Sequence, residues 1–298
     1  MTDVLIIGAG MLGTALGGAL PRERVNVRWY DTDAAKCPGG AARLETAVPA
    51  SRFIFMCVPS RTMRPALSRV AGLVTPSTVV VSLAKGLEPS TAKCMADVLE
   101  EVLPPGQPIA VLGGALLANE ITQGLPGMGM LGCAAKDVAA DLTALLEGSP
   151  IRMTWTPDAK SVAMAGVLKN VYALVLGIGD GLGLGSNARG WLFAQSVHEM
   201  LTIATMLRID PRIILSVAGI GDLVATGLSA QSKNRTAGLE LAKTGRTVTE
   251  CEGIASLPSL IQRIGERPDL RLLNALDAIV RGGRHVRIVM QDVLYRTT

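Results

Sequence analysis

Along its first half the chain alternates short apolar runs with longer stretches in which apolar residues recur every three to four positions. The runs at 4–7, 25–30, 52–58, 78–83, 109–112, 128–134 and 151–155 predict strands. In Phe53-Ile54-Phe55-Met56-Cys57-Val58 every position is apolar, the pattern of a strand buried on both faces. Helical spacing predicts helices from the turn after residue 7 through 20, and over 61–73, 89–102 and 137–146. Strands alternating with helices imply βαβ units and a mostly parallel sheet. Beyond 155 the pattern changes. Helical periods run through 158–176, 187–207, 212–217, 234–244 and 270–281, and 286–290 is the one further strand candidate. The expectation is an α/β fold: a parallel-sheet domain over 1–155 and an all-α domain over 156–298.

Composition narrows the function classes. Apolar residues make up 49% of the 298 positions and charged residues 18%, below the usual ~25%, which excludes a disordered chain. With 33 glycines and 3% aromatics, the core is expected to consist of Ala, Val, Leu and Ile with close backbone approaches. Residues 1–155 carry 13 Lys+Arg and 13 Asp+Glu, and residues 156–298 carry 16 and 12, so the net +4 lies wholly in the second half. That excess is too small and too scattered for a nucleic-acid surface and suits a small anion. Five cysteines without a CxxC pair and two histidines give no metal site. They fit reduced buried thiols in a cytoplasmic protein. The N-terminus shows neither the charged nor the long apolar region of a signal peptide. No charge-free apolar run reaches about 18 residues, so no membrane span is expected.

The strongest local motif is Gly8-Ala9-Gly10-Met11-Leu12-Gly13, between a predicted strand and a predicted helix. This is the setting of a dinucleotide fingerprint: the first glycine for a tight turn, the second for approach to a pyrophosphate, the third for helix–strand packing. It makes the first domain Rossmann-like. Gly8, Gly10, Met11, Leu12 and Gly13 are the candidate phosphate cradle, because a helix N-terminus offers N–H groups to phosphates. A tight turn without a ligand is the competing reading. Asp31 ends the second strand, 18 residues after Gly13. There it can accept from a ribose 2′-OH and repel a 2′-phosphate, favouring NAD over NADP, or simply cap the next helix. Pro59 and Ser60 close the third strand at the sheet edge where ligands bind, although Ser60 also suits a helix cap. Lys85, just past the fourth strand, faces the same edge or is a solvated loop residue.

In the second domain Lys169-Asn170 lies mid-helix among Ala165, Gly166 and Ala173. A lysine there is costly unless paired, which predicts a carboxylate partner or a ligand. Asp222 is the candidate partner, and snorkelling of Lys169 to the surface is the alternative. The run 177–185 is too rich in glycine for a helix interior. It is expected to end one helix and begin the next with Ser186 or Asn187 as N-cap, leaving Asp180 a structural role. Lys233 and Arg235 offer cations to a phosphate, or serve as surface ion pairs.

Taken together, Gly8-x-Gly-x-x-Gly-Thr-Ala-Leu16, Val58-Pro-Ser60, Lys85-Gly-Leu-Glu88, Leu168-Lys-Asn-Val171, Gly181-Leu-Gly-Leu-Gly-x-Asn-Ala-Arg189, Gly221-Asp-Leu223 with Thr226, Lys233-Asn-Arg235 and Glu252-Gly253 resemble the bacterial type of NAD(P)-dependent glycerol-3-phosphate dehydrogenase, in family order over essentially the full length. The resemblance implies hydride transfer between sn-glycerol 3-phosphate and dihydroxyacetone phosphate, with NAD as cofactor and NADP as the alternative. It implies Lys169 as acid/base, Asp222 as the group orienting it, and Lys85 on substrate and cofactor. Asn170, Thr226, Lys233 and Asn234 would lie on the phosphorylated substrate, and Arg235, Pro59 and Glu252 on the cofactor. It also implies a cytoplasmic homodimer.

Three departures stand out. Gly114-Ala115-Leu116-Leu117-Ala118 replaces the family's Gly-Pro-Ser-Phe-Ala, Lys233 replaces an arginine, keeping the charge but losing the bidentate fork, and Thr32, beside Asp31, stands where the family often has an arginine. The chain is also shorter than most members. A different phosphorylated or phosphonate-bearing alcohol, a ketopantoate-reductase-like reaction, and a nucleotide-binding sensor are the alternative readings.

Overall fold

The computed structural model describes residues 1–295. Its contacts divide the chain into two compact units, Met1–Lys85 with Lys93–Ala163, and Gly86–Ala92 with the remainder from Met164. The division expected after 155 falls near the end of the last strand. The structural division lies inside the following helix, and residues 86–92 pack with the second unit.

In the first unit, the described residues form one sheet from β1 (Thr2–Ile7), β2 (Val25–Tyr30), β3 (Phe53–Met56), β4 (Val79–Ser82), β5 (Ile109–Ala115), β6 (Gly127–Gly132) and β7 (Ile151–Thr156). The order is β2-β1-β3-β4-β5-β6-β7. Only the β5–β6 pairing is antiparallel. Alternate residues of β1, β3 and β4 feed two separate cores. Val4, Ile6, Phe53, Phe55, Val79 and Val81 bury one face, and Leu5, Ile7, Ile54, Met56 and Val80 the other. Charge has no place on either face, which accounts for the apolar strand runs. Because β2 and β3 flank β1 on opposite sides, the strand order reverses beside β1. A crevice opens at such a switch point, at the carboxyl ends of the strands.

The 89–102 helix expected from spacing is shorter, Met95–Val102. Residues 86–92 instead form an irregular segment ending in Ala92 at φ 55°. Asp33, not Asp31, caps the 3-10 turn after β2. Ser60 is the first residue of a 3-10 turn whose N-cap is Pro59, rather than being the cap itself.

The second unit is helical, as the periodicity predicts. Its longest element, Ala159–Gly181, starts in the first unit and continues as the core helix of the second. Ser186–Met206, Asp222–Leu228, Lys233–Thr244 and Glu252–Ile264 touch it, and Arg271–Val280 and Val286–Tyr295 complete the unit. The strand expected at 286–290 is therefore a helix. Its buried residues Val286, Val289, Met290 and Val293 lie at helical spacing, and that outweighs the β-branched composition. The helix Glu252–Ile264 has no counterpart in the sequence expectation, because Gly253 and Pro258 inside it read as breakers.

The glycine run is also corrected. The long helix continues through Gly177 and Gly179 to Gly181, and the next begins after Gly185 rather than after Ser186 or Asn187. These glycines answer to a neighbouring helix. A Cβ on Gly177 would lie 2.1 Å from the Arg235 carbonyl oxygen, and one on Gly238 would lie 2.2 Å from that of Leu174. The two backbones touch, and only glycine fits at the crossing.

Glu199 is fully buried, yet both of its carboxylate oxygens are satisfied. It accepts from Tyr172 Oη at 2.9 Å and from the Leu272 and Leu273 amides at 2.8 and 3.1 Å. It thereby caps the Arg271–Val280 helix from within. Burial and the Glu199 charge hold the Tyr172 phenol well above its usual range.

By length and hydropathy, Ala159–Gly181 and the stretch Pro211–Leu228 would each be apolar enough to cross a membrane. The first has 94% of its apolar window inside the protein and the second 44%.

Candidate active site

The glycine loop follows β1 and opens the helix Met11–Ala19. Gly8 adopts φ +101°, and a Cβ there would sit 2.7 Å from the Cys57 carbonyl oxygen. A Cβ on Gly13 would sit 2.0 Å from the Gly8 carbonyl oxygen. Gly10, the N-cap, makes no side-chain cap bond, and a Cβ there would meet nothing within 4 Å. Two glycines are thus required by the protein itself. The third is required only if something must approach its backbone closely. Met11 is exposed beside it. The first helical N–H groups and their partial positive charge lie at this edge, which fits a dinucleotide pyrophosphate. Lost hydration pushes the Cys57 thiol up to about 12, so no thiolate forms beside the cradle at neutral pH.

Asp31 is tied to this loop. Its Oδ2 accepts from the Ala9 amide at 2.8 Å and its Oδ1 from the Asp33 amide at 2.9 Å. The carboxylate therefore braces the loop and remains half-exposed at the end of β2. Lys36, in the turn that follows, is paired with Asp33 at 3.5 Å.

Lys85 follows β4, and its Nζ donates to the Gly114 carbonyl of β5 at 2.7 Å. Gly114 has φ +111°, and a Cβ on it would lie 2.6 Å from the Met128 carbonyl oxygen. Leu116, where the resemblance would place a serine, is buried at 7% exposure. Its Cδ2 lies 3.0 Å from the position of a Cβ on Gly127. The segment 114–118 therefore offers backbone rather than a hydroxyl at that position.

In the second unit, Lys169 is 5% exposed, Asp222 1% and Thr226 3%. Lys169 Nζ donates to Asp222 Oδ1 at 3.0 Å and to Thr226 Oγ1 at 2.9 Å. The Thr226 hydroxyl donates to the same Asp222 oxygen at 3.1 Å. A buried ammonium needs such a carboxylate, since an unpaired charge there costs several kcal/mol.

Beside it, Asn234 Nδ2 donates to Asn170 Oδ1 at 2.8 Å, and Asn234 Oδ1 accepts from the Gly253 amide at 2.9 Å. This amide chain fastens the N-termini of the Lys233–Thr244 and Glu252–Ile264 helices to the helix that carries Lys169. Lys233, the first residue of its helix, is exposed. Glu252 is half-buried at the first position of the next. Arg235 points its guanidinium at Asp180, with Nη2 2.6 Å and Nε 2.7 Å from Oδ2. Arg189 reaches the other oxygen of Asp180 at 3.0 Å.

Several of these partners escaped the sequence. Nothing in the spacing links Asp31 to Ala9, or Gly253 to Asn234. Asp180 was legible only as an acid within a glycine run.

Residues 40–139 match the family model described as NAD-dependent glycerol-3-phosphate dehydrogenase N-terminus, and residues 158–291 match its C-terminus counterpart. A glycerol-3-phosphate dehydrogenase [NAD(P)+] of Streptomyces griseus is 33% identical over 276 residues, covering 89% of this chain and 79% of the relative. The crystal structure of glycerol-3-phosphate dehydrogenase from Coxiella burnetii superposes with a TM-score of 0.89 at 27% identity, covering 99% of each chain. A ketopantoate reductase from Ralstonia eutropha, at 19% identity and a TM-score of 0.61 over 95% of this chain and all of that one, shares the fold alone.

Proposed function

The chain belongs to the NAD-dependent glycerol-3-phosphate dehydrogenase family, and on that premise we propose how its residues interconvert sn-glycerol 3-phosphate and dihydroxyacetone phosphate with a nicotinamide dinucleotide. The observation that carries this reading is the buried triangle of Lys169, Asp222 and Thr226. A binding module has no need of an ammonium held away from water, whereas carbonyl reduction needs a proton donor at the oxygen that becomes an alcohol.

The cofactor, when bound, supplies the hydride. Gly8, Gly10 and the first turn Met11-Leu12-Gly13 would hold its pyrophosphate, and Asp31 its adenosine ribose. Pro59, Lys85, Arg235 and Glu252 would supply further contacts to it. The Lys169 ammonium stabilises the negative charge that develops on the carbonyl oxygen as hydride arrives, and Nζ then donates a proton to that oxygen, leaving an alcohol and a neutral amine. Asp222 pairs with the ammonium and fixes its direction. Thr226 accepts one of its hydrogens and helps fix the direction of the ammonium. In the reverse direction the neutral Lys169 amine takes the hydroxyl proton as hydride leaves the carbon. Lys233, Asn234 and Asn170 grip the phosphate. Addition of dihydroxyacetone phosphate should produce Lys169-dependent loss of NADH absorbance. Binding of NADH without turnover on any phosphorylated ketone would establish the sensor reading instead.

Asp31 makes NAD the preferred cofactor, because a 2′-phosphate would meet its carboxylate. Replacing Asp31 by Ala is expected to reduce the NADH-over-NADPH ratio of kcat/KM by about tenfold, the scale of one lost charged hydrogen bond. Because Asp31 also holds the Ala9 amide, affinity for both cofactors falls as well. An unchanged ratio in steady-state assays would remove Asp31 from cofactor choice.

Lys233 offers a point charge to the phosphate from the start of a helix whose N-terminus already favours anions. Lys233→Ala should raise the KM for dihydroxyacetone phosphate about fivefold to tenfold with kcat nearly unchanged, the signature of lost uniform binding. An unaltered KM would put the phosphate elsewhere.

A further inference from the structure

The chain leaves the first unit after Lys85 and returns to it at Lys93. The residues between, Gly86–Ala92, are fastened to the helix Glu252–Ile264 at three points along its length. The Leu87 amide donates to Ser256 Oγ at 3.0 Å, and both residues are fully buried. The Ser259 hydroxyl reaches the Pro89 carbonyl at 3.5 Å. Arg263 Nη1 donates to the Ala92 carbonyl at 3.0 Å. Ala92 itself sits at φ 55°, a left-handed conformation that is unfavourable for a residue with a Cβ and persists only where the surroundings fix it. Glu88 is buried at 5% exposure inside the segment and receives the Thr91 hydroxyl. The segment is a pinned strap rather than a loop. One of its pins lies two residues from Lys85, and the helix that holds it begins at Glu252.

We propose that Ser256 and Arg263 are positioning residues that set Lys85 for the reaction by pinning the strap Gly86–Ala92 to the Glu252–Ile264 helix. This rests on the reading that Lys85 contacts substrate and cofactor. On its other side Lys85 is fixed through Nζ to the Gly114 carbonyl. With Leu87 held in place, the backbone on both sides of the lysine is defined, β4 before it and the strap after it. Releasing the Ser256 bond leaves a buried amide without its partner, and the chain between Lys85 and Leu87 must shift to rehydrate it.

The test is a double-mutant cycle on kcat/KM for dihydroxyacetone phosphate, with melting curves alongside. Ser256→Ala and Arg263→Ala should each lower kcat/KM, by about tenfold for Ser256, equivalent to one hydrogen bond's worth of positioning. Arg263→Lys, which can still donate to Ala92, should recover most of the loss. In a Lys85→Ala background, itself impaired at least about a hundredfold, neither change should cost anything further. A merely structural role would give the same loss with or without Lys85, and that result overturns the proposal. So does full activity of both single variants when Lys85→Ala is impaired. Full activity of Lys85→Ala would instead overturn the reading of Lys85, and the positioning role with it. Arg263 is exposed, so its variants keep the test decisive should Ser256→Ala fail to fold.

Discussion

Lys169→Ala is expected to lower kcat for dihydroxyacetone phosphate reduction by at least about a thousandfold while leaving NADH affinity nearly unchanged. General acid catalysis by a positioned group contributes roughly a hundredfold to ten-thousandfold. Loss of a charge aimed at a developing oxyanion removes about a further hundredfold or more. The cofactor cradle is built by β1, β3 and the Met11–Ala19 helix of the first unit, so fluorescence titration with NADH should give an almost unaltered Kd. Lost NADH binding would contradict the assigned role.

The substitution also strands Asp222, a carboxylate 1% exposed and now without its cation. Breaking a buried pair from one side costs about 3–5 kcal/mol, so the variant should melt earlier as well. The double variant Lys169→Ala/Asp222→Asn separates the two effects. Removing the orphaned charge should return most of the lost stability and none of the lost turnover. Recovery of turnover in that double variant would assign the proton to another group.

The central strands were legible because β1, β3 and β4 each carry an uninterrupted apolar run, as burial on both faces of a parallel sheet requires. The fingerprint was legible because Gly8 and Gly13 are demanded by contacts within a few residues and with the adjacent strand. Lys169 could be singled out because a lysine on an apolar helix face predicts its own partner, and Asp222 was the acid within a polar cluster that suited it. Where the chemistry depends on residues distant in sequence, the pattern ran out. The Asp31 carboxylate could be placed at the end of β2, but its bond to Ala9 is a product of strand order. The strap 86–92 carries Pro89 and ends in a left-handed Ala92, and its spacing alone resembled a helix start. At 286–290 the Val- and Ile-rich composition suggested a strand. Its buried positions, Val286, Val289, Met290 and Val293, instead suit a helix packed on one side.

The glycine run shows the same division most sharply, and it yields the second large effect. Gly177→Ala is expected to destabilise the helical unit by about 3 kcal/mol, the upper part of the usual range for overpacking. The added methyl meets the Arg235 carbonyl oxygen at 2.1 Å and the Arg235 Cα at 3.0 Å, and neither can rotate away. The Lys233–Thr244 helix must move as a body, taking with it Lys233 and the Asn234 amide that joins Asn170 to Gly253. KM for the phosphorylated substrate should therefore rise together with the loss of stability, while NADH affinity holds. Gly179→Ala, two residues along the same helix, meets Leu192 Cδ1 at 2.9 Å, with Leu184 Cδ1 in ordinary contact at 3.9 Å. The Leu192 side chain can change rotamer, so the cost should stay below about 1.5 kcal/mol. Gly190→Ala, on the exposed face of Ser186–Met206 with nothing within 4 Å of the new methyl, should raise stability by about 0.5–1 kcal/mol through helix propensity alone. Denaturant melts of the three variants test this order directly. If Gly177→Ala is no worse than Gly179→Ala, the two backbones do not touch at this crossing, and the placement of Lys233 and Asn234 by that contact is wrong.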